Sequence, residues 1–320
     1  MTDQHIISVL ERAPERLSAF KKEVAKAIVG QSEAVDLITM SLLCGGHSLL
    51  VGVPGLAKTL LITTVSKALG LEFSRIQFTP DLMPTDITGT DVLNAKREFE
   101  FHKGPVFANV VLADEINRTP PKTQAALLEA MQERKVSVAG TSMDLPHPFF
   151  VLATQNPIEQ EGTYPLPEAQ LDRFLFNIFV GYPSRKEEEQ IVRATTVGNR
   201  ETIAPVLSAQ EIVEMGIALR AMPVTEETVS YAVELVRKTR PNVPGSDALA
   251  DEYLNWGAGP RASQNLILAA KALAMMEGKG TPTIQDVQRI AVPVLRHRIV
   301  ANYRAKGEGM TEDAIITKLL

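Results

Sequence analysis

The sequence is short of cysteine and of net positive charge. Its single cysteine, Cys44, has no second thiol with which to form a disulfide within the chain, which fits a reducing compartment. The 33 Lys and Arg residues are outnumbered by 38 Asp and Glu residues, so the net charge is -5. Such a chain has no built-in long-range attraction for nucleic acid or for an anionic membrane.

Long apolar runs are also missing. The longest uncharged window, residues 37–57, is interrupted by Gly45, Gly46, His47 and Pro54, so the sequence predicts no membrane span. The first residues show no basic-then-apolar signal pattern. We therefore expect a cytoplasmic protein without a nucleic-acid partner.

The spacing of the apolar residues changes along the chain of 320 residues. Up to about residue 183, short apolar runs that end at turns alternate with helical patterns, which predicts the α/β class with a parallel sheet between helices. Beyond that residue the patterns are helical and are separated by Pro and Gly turns. The sequence therefore predicts two domains, 1–183 and 184–320. The predicted strands are 47–51, 73–78, 109–113, 149–154 and 174–180.

Two stretches interrupt this alternation and are predicted as insertions on the core sheet. Residues 79–105 hold two short strand-like pieces, 90–93 and 98–101. Residues 135–147 have the alternation of a hairpin, with a glycine near its turn. The helices predicted ahead of the first strand are 15–29 and 33–43, the second with Ser32 as its N-cap.

The most specific motif is the run G-V-P-G-L-A-K-T at 52–59, which follows a predicted strand and opens a predicted helix. Consecutive amides in such a turn point into one concavity, and the helix N-terminus adds positive potential for phosphates. Lys58 supplies a charge at the β- and γ-phosphates, and the Thr59 hydroxyl is a ligand for Mg²⁺. Ala57 replaces the usual glycine, which is tolerable if the backbone there is already helical. The predicted nucleotide-binding residues are Pro54, Gly55, Leu56, Ala57, Lys58, Thr59 and Leu60.

Two carboxylates follow the apolar run 110–113 and are expected at the carboxyl edge of the sheet, beside the glycine-rich loop. Asp114 would hold the Mg²⁺ through water. Glu115 would polarise the attacking water as the general base. Two solvated acids that cap the following helix are the alternative.

Asn156 and Arg261 are further candidates for contacts with the γ-phosphate. Asn156 ends a predicted strand, where its amide can orient the water; a turn-forming role before Pro157 is the alternative. Arg261 follows Pro260, which suits the first position of a helix. A cation in that turn opposes the helix dipole unless an anion binds there, so we interpret Arg261 as a phosphate sensor, with an exposed arginine as the alternative.

Three other polar features give weaker signals. Gln77, at the end of the second strand, could restrain Glu115 or could be a satisfied polar residue of the core. Arg118 could reach a subunit boundary or form a local ion pair. The basic cluster of Arg296, His297 and Arg298 with Arg304 and Lys306 is typical of a solvated face, with a binding patch as the alternative.

The longest motifs resemble those of the MoxR family of AAA+ ATPases, and with the C-terminal helices they cover nearly the whole chain. Ala57 matches the usual form of this family. The resemblance implies an AAA+ αβα P-loop core with a parallel sheet, an insertion in its second helix and a hairpin before the sensor strand, followed by an all-helical lid domain. The matching runs are 52–59, 86–89 (D-I-T-G), 104–133 (with L-A-D-E-I-N-R), 153–174 (with A-T-Q-N-P and L-D-R-F) and 259–263 (G-P-R-A-S).

The resemblance also assigns roles to residues. It implies that Arg173 is an arginine finger that acts in trans on the γ-phosphate of a neighbouring subunit, that Asn156 is the first sensor and that Arg261 is the second. The adenine side of the pocket would be lined by Val29, Gly30 and Gln31. ATP and Mg²⁺ are the implied cofactors. The implied assembly is a ring hexamer, similar to magnesium-chelatase motor subunits.

Members of this family are chaperone-like motors that mature or activate partner complexes, often with proteins that carry a von Willebrand factor A domain. This chain contains no Asp-x-Ser-x-Ser motif, so such a partner would be a separate polypeptide. We therefore expect a Mg-dependent ATP hydrolase that remodels a client complex. The alternatives on the same fold are a nucleotide-dependent DNA motor or loader and a slow nucleotide-gated scaffold.

Overall fold

The computed structural model describes residues 1–138, 140–158, 162–196 and 202–320. Residues 159–161 of the matching run 153–174 lie outside this description. The described chain forms two compact units, which we call the helical unit and the core unit. The helical unit comprises Met1–Leu17, Phe174–Asn177 and Glu214–Leu320, and the core unit comprises Ser18–Arg173 and Ile178–Val213.

The chain therefore leaves the core unit between Arg173 and Phe174 and returns to it after Asn177. The domain boundary that the sequence places at residue 183 stays a prediction. The strands are β1 Ser48–Val51, β2 Phe73–Gln77, β3 Gly89–Leu93, β4 Phe99–Lys103, β5 Val110–Asp114, β6 Lys135–Val138, β7 Thr141–Asp144, β8 Phe150–Gln155, β9 Phe176–Phe179, β10 Leu254–Trp256 and β11 Val300–Ala301.

The main sheet has the strand order β2-β5-β8-β1-β9. Its neighbours β2–β5, β5–β8 and β8–β1 pair in parallel. Every residue of β5 is buried, as expected for an interior strand that is covered on both faces. The predicted α/β class and the five predicted strands of this sheet are confirmed, with ends that differ by at most two residues.

Helices form most of the remaining chain, and one of them, Lys58–Ala68, packs against β5. No helix within the described residues is both long and apolar enough to cross a membrane. The helices are α1 Asp3–Ala25, α2 Ser32–Cys44, α3 Lys58–Ala68, α4 Pro84–Thr88, α5 Pro121–Glu133, α6 Glu168–Leu171, α7 Arg185–Thr196, α8 Ala209–Ala221, α9 Glu226–Lys238, α10 Ala248–Tyr253, α11 Pro260–Met276, α12 Ile284–Leu295, α13 Tyr303–Gly307 and α14 Glu312–Leu319.

The first two helices differ from the prediction. Helix α1 begins at Asp3 rather than at residue 15, because Val9 and Ala13 continue the buried stripe toward the N-terminus. Ser32 is the first residue of α2 and not its N-cap. The N-cap is Gln31, whose left-handed backbone (φ 55°) presents its carbonyl to the amide of Val35 at 3.1 Å.

Both interrupting stretches contain antiparallel strand pairs. The pieces predicted at 90–93 and 98–101 correspond to β3 and β4, which pair from Gly89↔Lys103 to Leu93↔Phe99. Helix α4, which precedes them, is not predicted from the sequence. The second pair is β6 and β7, and Gly140 lies between them with φ 82°. This left-handed conformation is one that glycine adopts without steric cost.

The helical unit packs α9, α11 and α12 against one another. Helix α12 begins with a capping box in which Thr283 and Asp286 satisfy each other's backbone amides. The predicted all-helical unit also contains one short ribbon, in which β10 and β11 pair antiparallel. The sequence does not predict this ribbon, because strands of two or three residues carry no periodicity.

A buried histidine ties β1 to its surroundings. His47 is 6 % exposed; its Nε2 donates to the carbonyl of Met131 at 3.1 Å, and its Nδ1 accepts the amide of Val151 at 2.9 Å. Burial lowers the pKa of His47 from 6.5 to about 4. Because Nδ1 must accept, the folded state holds this histidine neutral.

We predict that His47 makes the protein acid-sensitive. The unfolded chain takes up this proton near pH 6.5 and the folded chain only near pH 4, so stability is complete above pH 6.5 and is lost as the pH falls toward 4. The slope is about 1.4 kcal/mol per pH unit for each such histidine. Urea unfolding measures the free energy of unfolding at about pH 7 and at about pH 5. The loss in this free energy between the two pH values should be about 2 kcal/mol smaller in His47→Gln than in the wild type. Equal differences in the two proteins would contradict this role.

Candidate functional site

The glycine-rich loop joins β1 to α3 at the carboxyl edge of the main sheet, where open α/β sheets bind ligands. Gly52 has no room for a side chain, because a Cβ there would lie 2.6 Å from the carbonyl oxygen of Val180. Gly55 has φ 85°, and no atom of the described residues lies within 4 Å of the position that its Cβ would take, so the backbone conformation alone favours glycine there.

Ala57 departs from the sequence-based expectation. It is the N-cap of α3 and has a left-handed backbone with φ 55°, so it is not already helical. A left-handed conformation costs a non-glycine residue about 1–2 kcal/mol. The turn therefore stores backbone strain at Ala57, as functional loops often do. Among the described residues no side chain caps α3 at this N-cap, so the amides of its first turn are open to an anion.

Lys58 is held inside this loop. Its ammonium group donates to the carbonyls of Gly52 and, at 3.3 Å, of Val53. Burial lowers its pKa, while the charges of Asp114 and Glu115 act in the opposite direction. The structure therefore brings together the lysine and both predicted acids in one electrostatic environment.

The register of the sheet aligns the ends of three strands. Gln77 lies beside Asp114 in the pairing of β2 with β5, and Ala113 lies beside Ala153 in the pairing of β5 with β8. Thr154 is therefore level with the acids. Its hydroxyl donates to Oδ1 of Asp114 at 2.7 Å and accepts the amide of Glu115 at 2.9 Å.

Arg75, which the sequence analysis missed, is the second partner of Asp114. Its Nη2 and Nε donate to Oδ2 of Asp114 at 2.7 Å and 3.1 Å, and Nη2 also donates to Oε1 of Gln77. The signal that could have identified Arg75 is its position: it is a cation two residues before the end of β2, the strand that pairs with the acid-bearing strand β5. Thr154 was missed for a similar reason, since only the register shows which acid it faces.

Glu115 lies at a turn just beyond β5. Its φ is 57°, another left-handed position, and it begins the short 3₁₀ turn Ile116–Arg118. Its Oε2 accepts from Nε2 of Gln77 at 3.2 Å and from Nη1 of Arg118 at 3.1 Å. Gln77 is thus an exposed residue that contacts Glu115 and not a core residue, and Arg118 forms the local ion pair that was one of its two predicted alternatives.

Asn156 follows β8 and carries a buried amide group without a partner. Its Oδ1 accepts the amide of Ile158 at 3.1 Å, and within the described residues its Nδ2 has no hydrogen-bond partner. A cavity of about 260 Å³ lies against it and is also lined by Asn117, Gln155 and Thr163. An orphaned donor at this edge is suited to an oxygen-rich ligand.

The segment Val29 to Gln31 connects α1 to α2. Nε2 of Gln31 donates to the carbonyl of Leu56 at 3.2 Å, which places this segment against the glycine-rich loop. The neighbouring Thr59 and Leu60 belong to the first turn of α3, where Leu60 is 45 % exposed. The assignment of Val29, Gly30 and Gln31 to the adenine side stays a prediction.

The two arginines that the sequence analysis assigns to the γ-phosphate, Arg173 and Arg261, are distant in sequence from the glycine-rich loop and from the two acids. Arg173 follows α6, and its Nη1 donates to the carbonyl of Leu128 at 2.6 Å. Arg261 is an exposed residue in the first turn of α11, directly after Pro260, and belongs to the helical unit. The roles of both arginines stay predictions.

The chain is similar to known proteins over most of its length. A profile of the ATPase family associated with various cellular activities (AAA) matches residues 47–176, and a profile of the AAA lid domain matches residues 246–319. The Chaperone MoxR1 of Mycobacterium tuberculosis is 46% identical over 306 residues, which cover 93% of this chain and 79% of that protein. The Protein MoxR of Paracoccus denitrificans is 31% identical over 85% of both chains.

A solved structure is also similar to this chain. The crystal structure of a protein from Cytophaga hutchinsonii, provisionally named an ATPase, superposes with a TM-score of 0.91 at 41% identity. The match covers 98% of this chain and 95% of that one. The likeness therefore extends over the core unit and the helical unit.

We predict that Thr154→Val destabilises the protein by about 1–3 kcal/mol, because it keeps the side-chain shape but leaves the amide of Glu115 and an oxygen of Asp114 without a partner. Thr39→Val is the matched control, since the buried Thr39 hydroxyl only adds a bond to the helical carbonyl of Val35. Its expected cost is below about 1 kcal/mol. Urea unfolding of both variants measures the difference, and equal costs would argue against the bridging role of Thr154.

Proposed function

Because the chain belongs to the MoxR-type AAA+ ATPase chaperones, we propose that it hydrolyses ATP with Mg²⁺ at the edge of the main sheet. We further propose that it acts as a homo-oligomeric ring that remodels a partner complex. The observation that carries the proposal is the convergence of Lys58, Asp114, Glu115 and Thr154 beside an uncapped helix N-terminus. Such an arrangement is the one that phosphoryl transfer requires, since it consists of positioned charges around a phosphate site.

The donor set suits Mg²⁺ in the predicted manner. A carboxylate offers about four lone-pair positions, and Asp114 uses three of them for Arg75 and Thr154. One position remains for a metal-bound water, so Asp114 fits as an indirect ligand. The Thr59 hydroxyl fits as a direct ligand, because Mg²⁺ typically combines few protein oxygens with substrate phosphates. When bound, the ion neutralises charge that develops on the phosphates.

The protein groups supply the remaining chemistry. Lys58 binds the phosphate chain as a point charge, and the first-turn amides of α3 orient it. Glu115 accepts the proton of the attacking water at its carboxylate. The bonds from Gln77 and Arg118 hold that carboxylate, so Gln77 would restrain the base until it is released. The orphaned Nδ2 of Asn156 would orient the water or the γ-phosphate.

The two arginines complete the proposal. Arg261 would sense the γ-phosphate of its own subunit, and Arg173 would reach the γ-phosphate of a neighbouring subunit in the ring. A separate protein with a von Willebrand factor A domain and a client complex are the proposed partners. The net charge of -5 disfavours the alternative of a DNA motor.

We predict that Lys58→Ala abolishes binding of MgATP, whereas Glu115→Gln retains binding and loses about 10²–10⁴-fold in turnover. The reason is that Lys58 contributes to the ground-state phosphate contacts, while Glu115 acts only on the water. Calorimetric titration and phosphate release measure the two effects. Lys67→Ala, a variant of an exposed lysine on the same helix, is the matched control and should behave as the wild type. Hydrolysis at the normal rate by Glu115→Gln would overturn the assignment of the base.

We predict that Arg173→Ala loses about 10³–10⁵-fold in turnover while its affinity for MgATP is unchanged. Mixing equal amounts of Arg173→Ala and Glu115→Gln subunits should restore activity. Half of the subunits, those with Arg173→Ala, keep Glu115 and so have a complete hydrolysing site. On average half of these sites adjoin a Glu115→Gln subunit, which keeps Arg173. Roughly a quarter of the wild-type rate per subunit is therefore expected. A mixture as inactive as its components would contradict action in trans.

A further inference from the structure

Three consecutive residues at the end of α12 hold the backbone of one short segment. We call Arg296, His297 and Arg298 the clamp. The segment that they hold, Phe174–Asn177, is the part of the chain that crosses into the helical unit. All contacts between the clamp and this segment lie within the helical unit.

The clamp binds carbonyl oxygens. Arg298 donates through Nη2 to Phe174 and through Nη1 to Leu175 at 3.3 Å. His297 contacts the same carbonyl of Phe174 through Nε2 at 3.0 Å. Burial, and next the charge of Arg298, hold the pKa of His297 well below its usual range, so the ring is neutral and Nε2–H donates.

Arg296 extends the clamp by one residue. Its Nη1 donates to the carbonyl of Asn177 at 3.3 Å. Its Nε and Nη2 donate to the two carboxylate oxygens of Asp313 at 2.9 Å and 2.7 Å. This paired bond fixes the plane of the guanidinium group, because a bidentate contact leaves it little rotation.

For residues 296–298 this arrangement contradicts both sequence-based interpretations of the basic cluster, whereas Arg304 and Lys306 are exposed. His297 is 7 % exposed and Arg298 is 6 % exposed, so the run is neither a solvated face nor an open binding patch. Charged side chains are rarely buried unless their polar atoms are satisfied. Here backbone carbonyls accept hydrogen bonds from His297 and Arg298. Because these contacts are made to the backbone, they fix the path of the chain whatever side chains the segment carries.

The held segment cannot slide along the clamp. Phe174 and Phe176 are fully buried and Leu175 is 4 % exposed, so a shift by one residue would turn these side chains out of their packing. The clamp therefore fixes the backbone path of this segment, whose last two residues, Phe176 and Asn177, also begin β9 of the main sheet.

Arg173 is the residue immediately before this segment, and it is also the last residue of its stretch of the core unit. One peptide unit, about 3.8 Å between Cα atoms, separates it from Phe174. Arg261 lies in the helical unit that carries the clamp. The clamp therefore fixes the backbone that immediately follows Arg173.

We propose that the clamp is a positioning device for Arg173. By fixing the backbone that follows Arg173, it sets the position from which this arginine reaches the nucleotide of the neighbouring subunit. The proposal rests on the proposed function, since it takes Arg173 to act in trans. Arg296, His297 and Arg298 are positioning residues, because each acts on the reaction only through Arg173.

The mixed-subunit assay tests this proposal, because it separates the site that hydrolyses from the subunit that lends the arginine. Arg173→Ala subunits provide the hydrolysing site. The arginine donors are Glu115→Gln subunits that carry, in addition, Arg298→Lys or His297→Leu. We expect each donor to restore about 10²-fold less activity than Glu115→Gln alone, as a small misplacement of a catalytic group costs that much.

Two controls separate positioning from loss of structure. His297→Gln keeps an N–H near the position of Nε2 and should restore activity where His297→Leu does not. Lys271→Met removes another buried cation of the helical unit, whose Nζ donates to the carbonyl of Arg220 at 3.1 Å. A Glu115→Gln donor with Lys271→Met should lend its arginine normally, even though it also loses a buried bond.

Each donor is also checked for thermal unfolding, MgATP affinity and entry into mixed rings, which we expect to be retained. Equal restoration by all donors would overturn the clamp proposal and leave the proposed function intact. Loss of mixed rings or of MgATP affinity in the clamp variants would overturn it too, since it would show a general structural role. Failure of Glu115→Gln alone to restore activity would instead overturn the action of Arg173 in trans, and the clamp proposal with it.

Discussion

The parallel register of β5 with its two neighbours is the constraint on which the site depends. Because β5 is buried along its whole length, its pairing cannot slip without moving apolar side chains out of the core. The first polar position after the apolar run is therefore fixed in space. At that level the pairing places Gln77 on one side of Asp114 and Thr154 on the other. One hydroxyl then orients both the carboxylate of Asp114 and the backbone of Glu115.

Charge balance explains how several ionised groups coexist at this edge. The acids are surrounded by Lys58, Arg75 and Arg118, so each negative charge has a cation close to it. Bidentate contact with Arg75 leaves Asp114 little freedom to rotate, which suits a group that orients water rather than one that moves. The left-handed backbone at Ala57 adds a local strain that the surrounding loop must hold in place.

Part of the fold and most of the candidate site are readable from local patterns. The five strands follow from apolar runs and the helices from periodic spacing, because burial selects the same side chains in both cases. Short elements are the exceptions. The ribbon of β10 and β11 and the helix α4 span too few residues to show a period. The start of α1 was placed too late, although its buried stripe begins earlier in the chain.

By itself the sequence determined the chemistry: a glycine-rich loop with Lys58, and two acids at the end of an apolar strand, specify the residue types that a phosphate site needs. Only the tertiary structure decided which groups face each other. Arg75 meets Asp114 across two strands, and the basic run at the end of α12 turns inward to hold the carbonyls after Arg173. The reason is that sequence patterns report on residues close together in the chain. Arg75 and Asp114 are 39 positions apart, and Arg298 and Phe174 are 124 positions apart, so packing alone brings each pair together.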